Sequence, residues 1–327
     1  MSILQELKSV PQDNGENASI ISNGKLIVDT TKIDGTDTFK DTVDTAYRGS
    51  GAVRLFDNKS IFKITGEKTN EASEIKASTN AIVFDTIDYQ NLGTVKTNIT
   101  KDITEILMRG KDNVDNEVSL HNTKLTTTSD NDALIQANAR FKQKGKIYTG
   151  AQVAGGGFVA KLDQFFQTGA FNVKNATFKL SGDKSIATAA SKGWAVYAKS
   201  EEIDETNKTA KAHSELTATF SDGAKLTGLI HQDIGSSLTM NVDNNAVWTL
   251  KKKDDLDSDK QRSTSKSVTL SKGGILDAGS NPADEYIVKV SSNSVDNDGT
   301  FTNDHGIITL ANQSYTCLLY TSDAADE

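Results

Sequence analysis

Four things are scarce in this chain of 327 residues: cysteine, proline, aromatic residues and uninterrupted apolar sequence. The single cysteine, Cys317, opens the C-terminal run, so the body of the chain has no disulfide framework. That is compatible with an exported protein stabilised by stacking of its own units instead. Only two prolines occur, Pro11 and Pro282, while Val, Ile and Thr recur throughout. A disordered chain of this polarity would carry the opposite balance, many prolines and few β-branched residues. No stretch approaches the roughly 18 apolar residues that a membrane helix requires, so no membrane span is expected. Met1–Val10 lacks the basic start and apolar core of a secretory signal. An excess of positive charge is also missing: the formal net charge is -8 and the pI is near 5.2. Nucleic acid and anionic membranes are therefore poor partners. No segment sustains a 3.6-residue period with caps, so little or no helix is expected.

What is abundant is Ser, Thr, Asn, Asp and Gly, over a hydrophobic fraction of 36% with 6% aromatics. A thin-cored, elongated β fold fits that composition. One unit recurs: a short alternating strand, a corner of Asn, Asp, Gly or Lys, and another short strand. It is seen in Leu55–Ile64, Val118–Leu125, Thr219–Leu226, Met240–Leu250, Val268–Leu276 and Thr300–Leu310. In the fourth copy Met240 and Val242 share one side of their strand, and beyond the corner Ala246, Trp248 and Leu250 share another. Asn, Asp and Gly suit the corners because they tolerate left-handed backbone angles and bond their own main chain. Asp57, Asp222, Asn244, Gly273 and Asp304 are therefore expected in turns. From Asp222 onward the units repeat every 20–30 residues, the spacing of one solenoid rung. Antiparallel hairpins in a β-sandwich would use the same turn residues, but units repeating in linear order favour a solenoid. The expected fold is all-β, a right-handed parallel β-helix over most of Ser19–Thr316 and least regular before Thr100. Ser200–Ala212 and Lys251–Ser265 read as surface loops bulging from it.

The stretch Leu226–Thr316 resembles the C-terminal part of autotransporter passengers of the pertactin-like type. The resemblance lies in the alanine–tryptophan strand Asn244-Asn-Ala246-Val-Trp248 and in the serine turn, strand and Gly-Gly turn of Ser265–Gly274, with Gly273 and Gly274 closing it. The Gly-Thr-Phe step Gly299-Thr-Phe301 completes it. The charged insertion Lys251–Arg262 separates tryptophan strand from serine turn more widely than the family does. The resemblance implies a stem, residues 226–316, continuing a β-helical passenger of residues 19–225. It also implies type V secretion to the bacterial cell surface, a C-terminal β-barrel of the protein's own as partner, and a display or adhesive role toward a host, matrix or glycan ligand.

Both ends carry expectations of their own. Cys317–Glu327 resembles, in register, a translation of the transposase adapter used in shotgun sequencing libraries, in one forward frame. On that reading residues 317–327 are a non-biological tail that packs on nothing, and the natural frame was cut near Thr316. Residues 1–18 are expected to be a poorly ordered or artificial start.

Chemistry-bearing motifs are weak. Asp255-Leu-Asp257-Ser-Asp259 has the opening of a calcium loop, but Lys260 and Lys266 stand where the glycine and the bidentate glutamate belong. The run Ser294–Gly299 starts with serine and meets His305 at its twelfth position, so it fails likewise. Gly155–Gly157 lacks the setting of a phosphate loop. His121, His213, His231 and His305 show no metal-ligand spacing, and Gly49-Ser50-Gly51 is a turn, not a nucleophile elbow. Trp194 and Trp248 could stack on sugars, although packing is the expected role of both. No catalytic, cofactor-binding or metal-ligating residue is nominated, and the protein is read as non-enzymatic. The competing functions are a polysaccharide-active β-helix enzyme, which needs carboxylates and basic residues clustered on one rung face, and a phage or surface-layer fibre.

Overall fold

The computed structural model describes residues 4–8, 20–22, 24–35, 51–55, 58–67, 71–96, 102–110, 112–142, 146–153, 157–165, 169–257, 261–279, 286–290 and 299–309. Among these residues every regular element is a strand, and no helix is long and apolar enough to cross a membrane. The tail 317–327, Pro11, Asp57, Pro282 and Asp259 lie outside the described residues.

Three long sheets organise the chain, and within each of them every pairing is parallel. The first runs Ile20–Ser22, Gly51–Leu55, Asn80–Asp85, Ile135–Asn138, Val196–Lys199 and Ile230–Gln232. The second runs Lys25–Val28, Ile61–Ile64, Glu117–His121, Val173–Ser181, Ser214–Ser221, Ser237–Val242, Ser267–Ser271 and Thr300–Asp304. The third starts at Leu4–Lys8 and Thr30–Gly35 and ends at Val247–Thr249, Ile275–Asp277 and Ile307–Thr309. The chain visits first, second and third sheet in that order, again and again. In the last two passes a separate parallel pair, Arg262–Ser265 with Ile287–Val290, takes the first sheet's place in the order. Serine and threonine side chains bridge that junction: the Ile230 N–H donates to Ser263 Oγ (3.2 Å) and the Gln232 N–H to Thr264 Oγ1 (3.0 Å).

Alternation explains why these segments are strands and which side is buried. Ser237–Val242 alternates half-buried and buried residues along its length, the period a pleated strand with one packed face imposes. Parallel register then turns alternation into columns. In the second sheet Phe62, Val118, Phe178, Ala218, Met240 and Val268 stack directly on one another. In the third, Ile33, Ile75 and Leu125 form one end of a column whose other end is Leu226, Trp248 and Leu276. Inward residues of all three sheets belong to a single apolar cluster. Trp248 is fully buried, the place its strand period assigns, and its indole N–H donates to the Gly228 carbonyl (2.9 Å).

Two devices make the corners. Between second and third sheets Asn122, Asp222, Asn244 and Lys272 take φ of 48°, 56°, 45° and 46°. There the Asn122, Asn244 and Lys272 N–H groups donate to the Ser181, Ser271 and Asp304 carbonyls of the next pass. Elsewhere the bend leaves main-chain donors without a ladder partner, and a buried donor must find one. Hydroxyls one pass further along accept them: Thr31 N–H to Ser73 Oγ (3.1 Å), Thr123 N–H to Ser185 Oγ (3.0 Å), Ala139 N–H to Ser214 Oγ (3.0 Å). The abundance of serine in a thin core has this physical cause.

Several expectations need correcting. Asp222, Asn244 and Gly273 lie in turns, but Asp304 closes the strand Thr300–Asp304 and the left-handed residue is His305, φ 62°. Ser200–Ala212 is a surface excursion, but a paired one: Glu201–Asp204 and Thr209–Ala212 form an antiparallel hairpin. Lys251–Ser265 is only partly surface, since Lys253, Gln261, Ser263 and Ser265 are buried. Among the described residues irregularity is not confined to the part before Thr100. Gly51–Leu55 and Asn80–Asp85 hold their parallel register, and the antiparallel departures fall between Ile87 and Ala212.

Candidate functional site

Those departures share one origin. Each leaves the chain after a strand of the first sheet and returns before one of the second, on three successive passes. Asn80–Asp85 is followed by Ile87–Lys96 paired with Asp102–Gly110. Ile135–Asn138 is followed by an arm in two parts, Arg140–Lys142 with Gly169–Phe171 and then Lys146–Val153 with Gly157–Phe165. Val196–Lys199 is followed by the Glu201–Asp204 hairpin. The corner thus carries antiparallel arms on a parallel scaffold, the arrangement by which loops on a rigid frame acquire function.

A chain of alternating charge ties the arms to the scaffold. Asp85 is completely buried, with Arg54 Nε 3.3 Å from one carboxylate oxygen and Arg140 donating to both, at 3.3 and 3.4 Å. Arg140 also faces Glu201, 3.9 Å away, and Lys199 lies at the same distance from Glu201. The Phe141 N–H donates to Glu201 Oε2 at 2.7 Å, and Lys211 sits 4.7 Å above the Phe141 ring, which pins the second arm to the third. Burial by itself would raise the Asp85 pKa. The Arg140 and Arg54 guanidiniums, with hydrogen bonds from Arg140 and the Thr86 N–H, outweigh it and hold the carboxyl below its ordinary value. Asn113 closes the base, its amide donating to the Leu55 and Asp85 carbonyls (2.8 and 2.7 Å). This cluster is a structural staple: Arg54, Asp85 and Arg140 face one another out of water, and Glu201 and Lys199 continue the chain of charge to the surface.

A second cluster lies on the outer face of the first sheet, where Gln136, Tyr197 and His231 are stacked in register. The Trp194 and His231 rings are parallel within 16°, centroids 4.6 Å apart. Tyr197 Oη donates to the Asp233 carboxylate (2.9 Å), which also lies 3.3 Å from His231 Nε2, while His231 Nδ1 meets Thr264 Oγ1 at 2.9 Å. Burial first, and then the facing Asp233 charge, push the Tyr197 phenol far above its usual range. The Lys253 ammonium is 4.7 Å from the Trp194 centroid and bonds the Lys192 carbonyl. Gln261 clamps the Lys253 backbone at both its N–H and its carbonyl (2.8 Å each). The loop from Lys251 is therefore folded down over Trp194, whose ring packs against His231 and Lys253. Asp255 of the calcium-like run pairs with Lys253 at 3.2 Å.

The structure scatters the remaining motif residues along the scaffold. Ala246 and Trp248 are fully buried core, and Ser265 is buried in the strand Arg262–Ser265. Gly273 turns with φ 78°, and a Cβ on Gly274 would lie 2.1 Å from the Val242 carbonyl oxygen, so both glycines are required by the backbone. Gly299 precedes the last second-sheet strand, and Phe301 is half-buried in register with Val268. His121 meets Ser181 at a corner (3.0 Å) and His305 is exposed, far from either cluster. The arms and the Arg54–Asp85–Arg140 chain were missed. Their one sequence signal is a buried-strand run, Asn80–Asp85, that ends in an aspartate.

Comparison with protein-family models, curated proteins and solved structures finds no match for this chain.

Proposed function

We propose that the three sheets are the faces of one continuous right-handed β-helix, and that the protein is a non-enzymatic bacterial surface passenger. In this reading residues from about Ser214 form a plain stem, and the upstream passes carry recognition arms. The observation that carries it is the division of labour along the chain. Three successive passes send arms from a single corner, while the next passes are short, the second-sheet strands being 22 and then 28 residues apart. Right-handedness follows from the general rule for parallel strands joined by crossovers. A stem of closely spaced passes adds units to an existing edge, which suits export through the protein's own C-terminal barrel and folding outside the cell. The arms would then meet the host, matrix or glycan ligand.

The test is display. The chain is placed behind a secretion signal and ahead of an autotransporter barrel, and surface exposure is followed by protease shaving of intact cells. Display should proceed, and Trp248→Ala in the stem should reduce it more than shortening the Glu205–Lys208 turn of the third arm. Equal display of both variants and the parent would remove the stem from the reading. The polysaccharide-enzyme alternative gains nothing from the two clusters, because the charges of the first are buried against each other and the loop from Lys251 lies over the second.

A further inference from the structure

The outer face of the second sheet carries an array separate from the arms and from both clusters. Four successive strands carry two central outward columns in unbroken register: Thr217 and Thr219, Thr239 and Asn241, Ser267 and Thr269, Thr300 and Thr302. In a chain in which 24% of residues are charged, these eight positions hold six threonines, one serine and one asparagine. Upstream the same columns change character: Lys63, Glu117 and Lys179 form an ion-paired group there, at 3.0 and 3.6 Å. Charge otherwise stands at the border, as Glu215, the corner residues Asp222 and Asp243, and Asp304 at its strand end.

Parallel pairing fixes the geometry of the array. Neighbouring hydroxyls recur about every 4.8 Å from pass to pass and about every 6.6 Å along each strand. The columns also order themselves: the Asn241 amide donates to Thr219 Oγ1 (3.3 Å) and Ser267 Oγ to Thr239 Oγ1 (3.2 Å). Each threonine is stiff about its first side-chain bond and presents a methyl beside its hydroxyl. The result is an uncharged two-dimensional lattice of hydroxyls and methyls at fixed spacing. An uncharged lattice without aromatic rings is complementary to a repeating neutral surface, and not to an ion or to a single sugar ring, which would call for a stacking side chain. Ordered water meets the description: hydroxyls join the lattice while methyls favour the caged water between them.

We infer that this face binds crystalline ice. Ice binding of this kind needs only the parallel register and stands apart from the export reading. Purified full-length chain should partition into slowly growing ice and suppress recrystallisation in a frozen sucrose film. Thr219→Lys, on the first strand of the array, and Thr239→Lys, on the second, should each abolish both effects. Lys225→Ala, on the outer face of the third sheet, should leave both unchanged. Melting curves verify that every variant is folded. Exclusion of the parent chain from ice overturns the inference, as do folded Thr219→Lys and Thr239→Lys proteins that bind ice like the parent. Retention on microcrystalline cellulose with no effect on ice overturns it in favour of a polysaccharide surface.

Discussion

Replacing Asp85 by asparagine removes the negative charge that sits between two buried guanidiniums while keeping the size of the side chain. Arg54 is 2% exposed, and Arg140 6%, so water cannot replace the lost partner. Breaking a buried ion pair by removing one member costs about 3–5 kcal/mol, mostly because the remaining charge is stranded. Asp85 faces two such groups, one of which, Arg140, keeps Glu201 at 3.9 Å, so Asp85→Asn should fall within that range, read as a lowered urea midpoint. A triple variant, Arg54→Met with Asp85→Leu and Arg140→Met, removes the three charges together and should recover much of the loss. Acidification gives an independent reading. Because the folded Asp85 pKa is depressed, its stabilisation is complete above the unfolded value of about 3.9 and disappears as pH falls below that through the folded value. The parent should therefore lose stability below about pH 4 more steeply than Asp85→Asn does. An unchanged urea midpoint in Asp85→Asn would show that both arginines are hydrated in solution, and the staple would have to be abandoned.

Other perturbations address other parts of the scaffold. Trp248→Ala empties a fully buried site and should cost about 3–5 kcal/mol, with Trp248→Phe much milder; equal denaturant midpoints for parent and alanine variant would place the indole at the surface. Gly274→Ala drives a Cβ into the Val242 carbonyl oxygen, an overpacking worth about 1–3 kcal/mol, so a melting temperature like that of the parent would contradict the close approach. Tyr197 should ionise well above the ordinary tyrosine range. The stability from its raised pKa is full below the unfolded value of about 10 and fades as pH rises beyond it. An ultraviolet alkaline titration in which Tyr197→Phe loses an early-titrating group, not a late one, would refute that.

The scaffold was legible where passes are close together. Met240 and Val242, then Trp248, alternate within one short pass, and Asn244 marks the corner by tolerating a left-handed angle, so period and turn chemistry sufficed. Spacing hid the rest. Ser60 and Asn116, neighbours across one pass, are 56 residues apart, and His121 and Ser181 are 60 apart. Arms fill those intervals, and an antiparallel arm spells the same alternating pattern as the scaffold. The Asp85 staple was illegible for a different reason: its charges come from four passes, and an aspartate amid isolated arginines looks like surface until register brings them together. Ser200–Ala212 revealed its exposure but not its pairing, because its polar residues suit an exposed hairpin as well as a loop.

The shared corner has a consequence for how such a chain can change. Within a strand, gain or loss of a single residue would turn every following side chain to the opposite face, so length there is fixed. At the corner after the first sheet, arms of very different size leave and return while parallel pairing resumes beyond them, at the cost of one register shift between Val173 and Ala176 where the longest arm rejoins. Lengthening an excursion is also cheap, about 0.6 kcal/mol of closure entropy for each doubling. Variation in length should therefore collect at this corner. In the next pass the same corner is the short turn at Ile234 and Gly235, between Ile230–Gln232 and Ser237–Val242. A foreign hairpin grafted there should be accepted by the same rule.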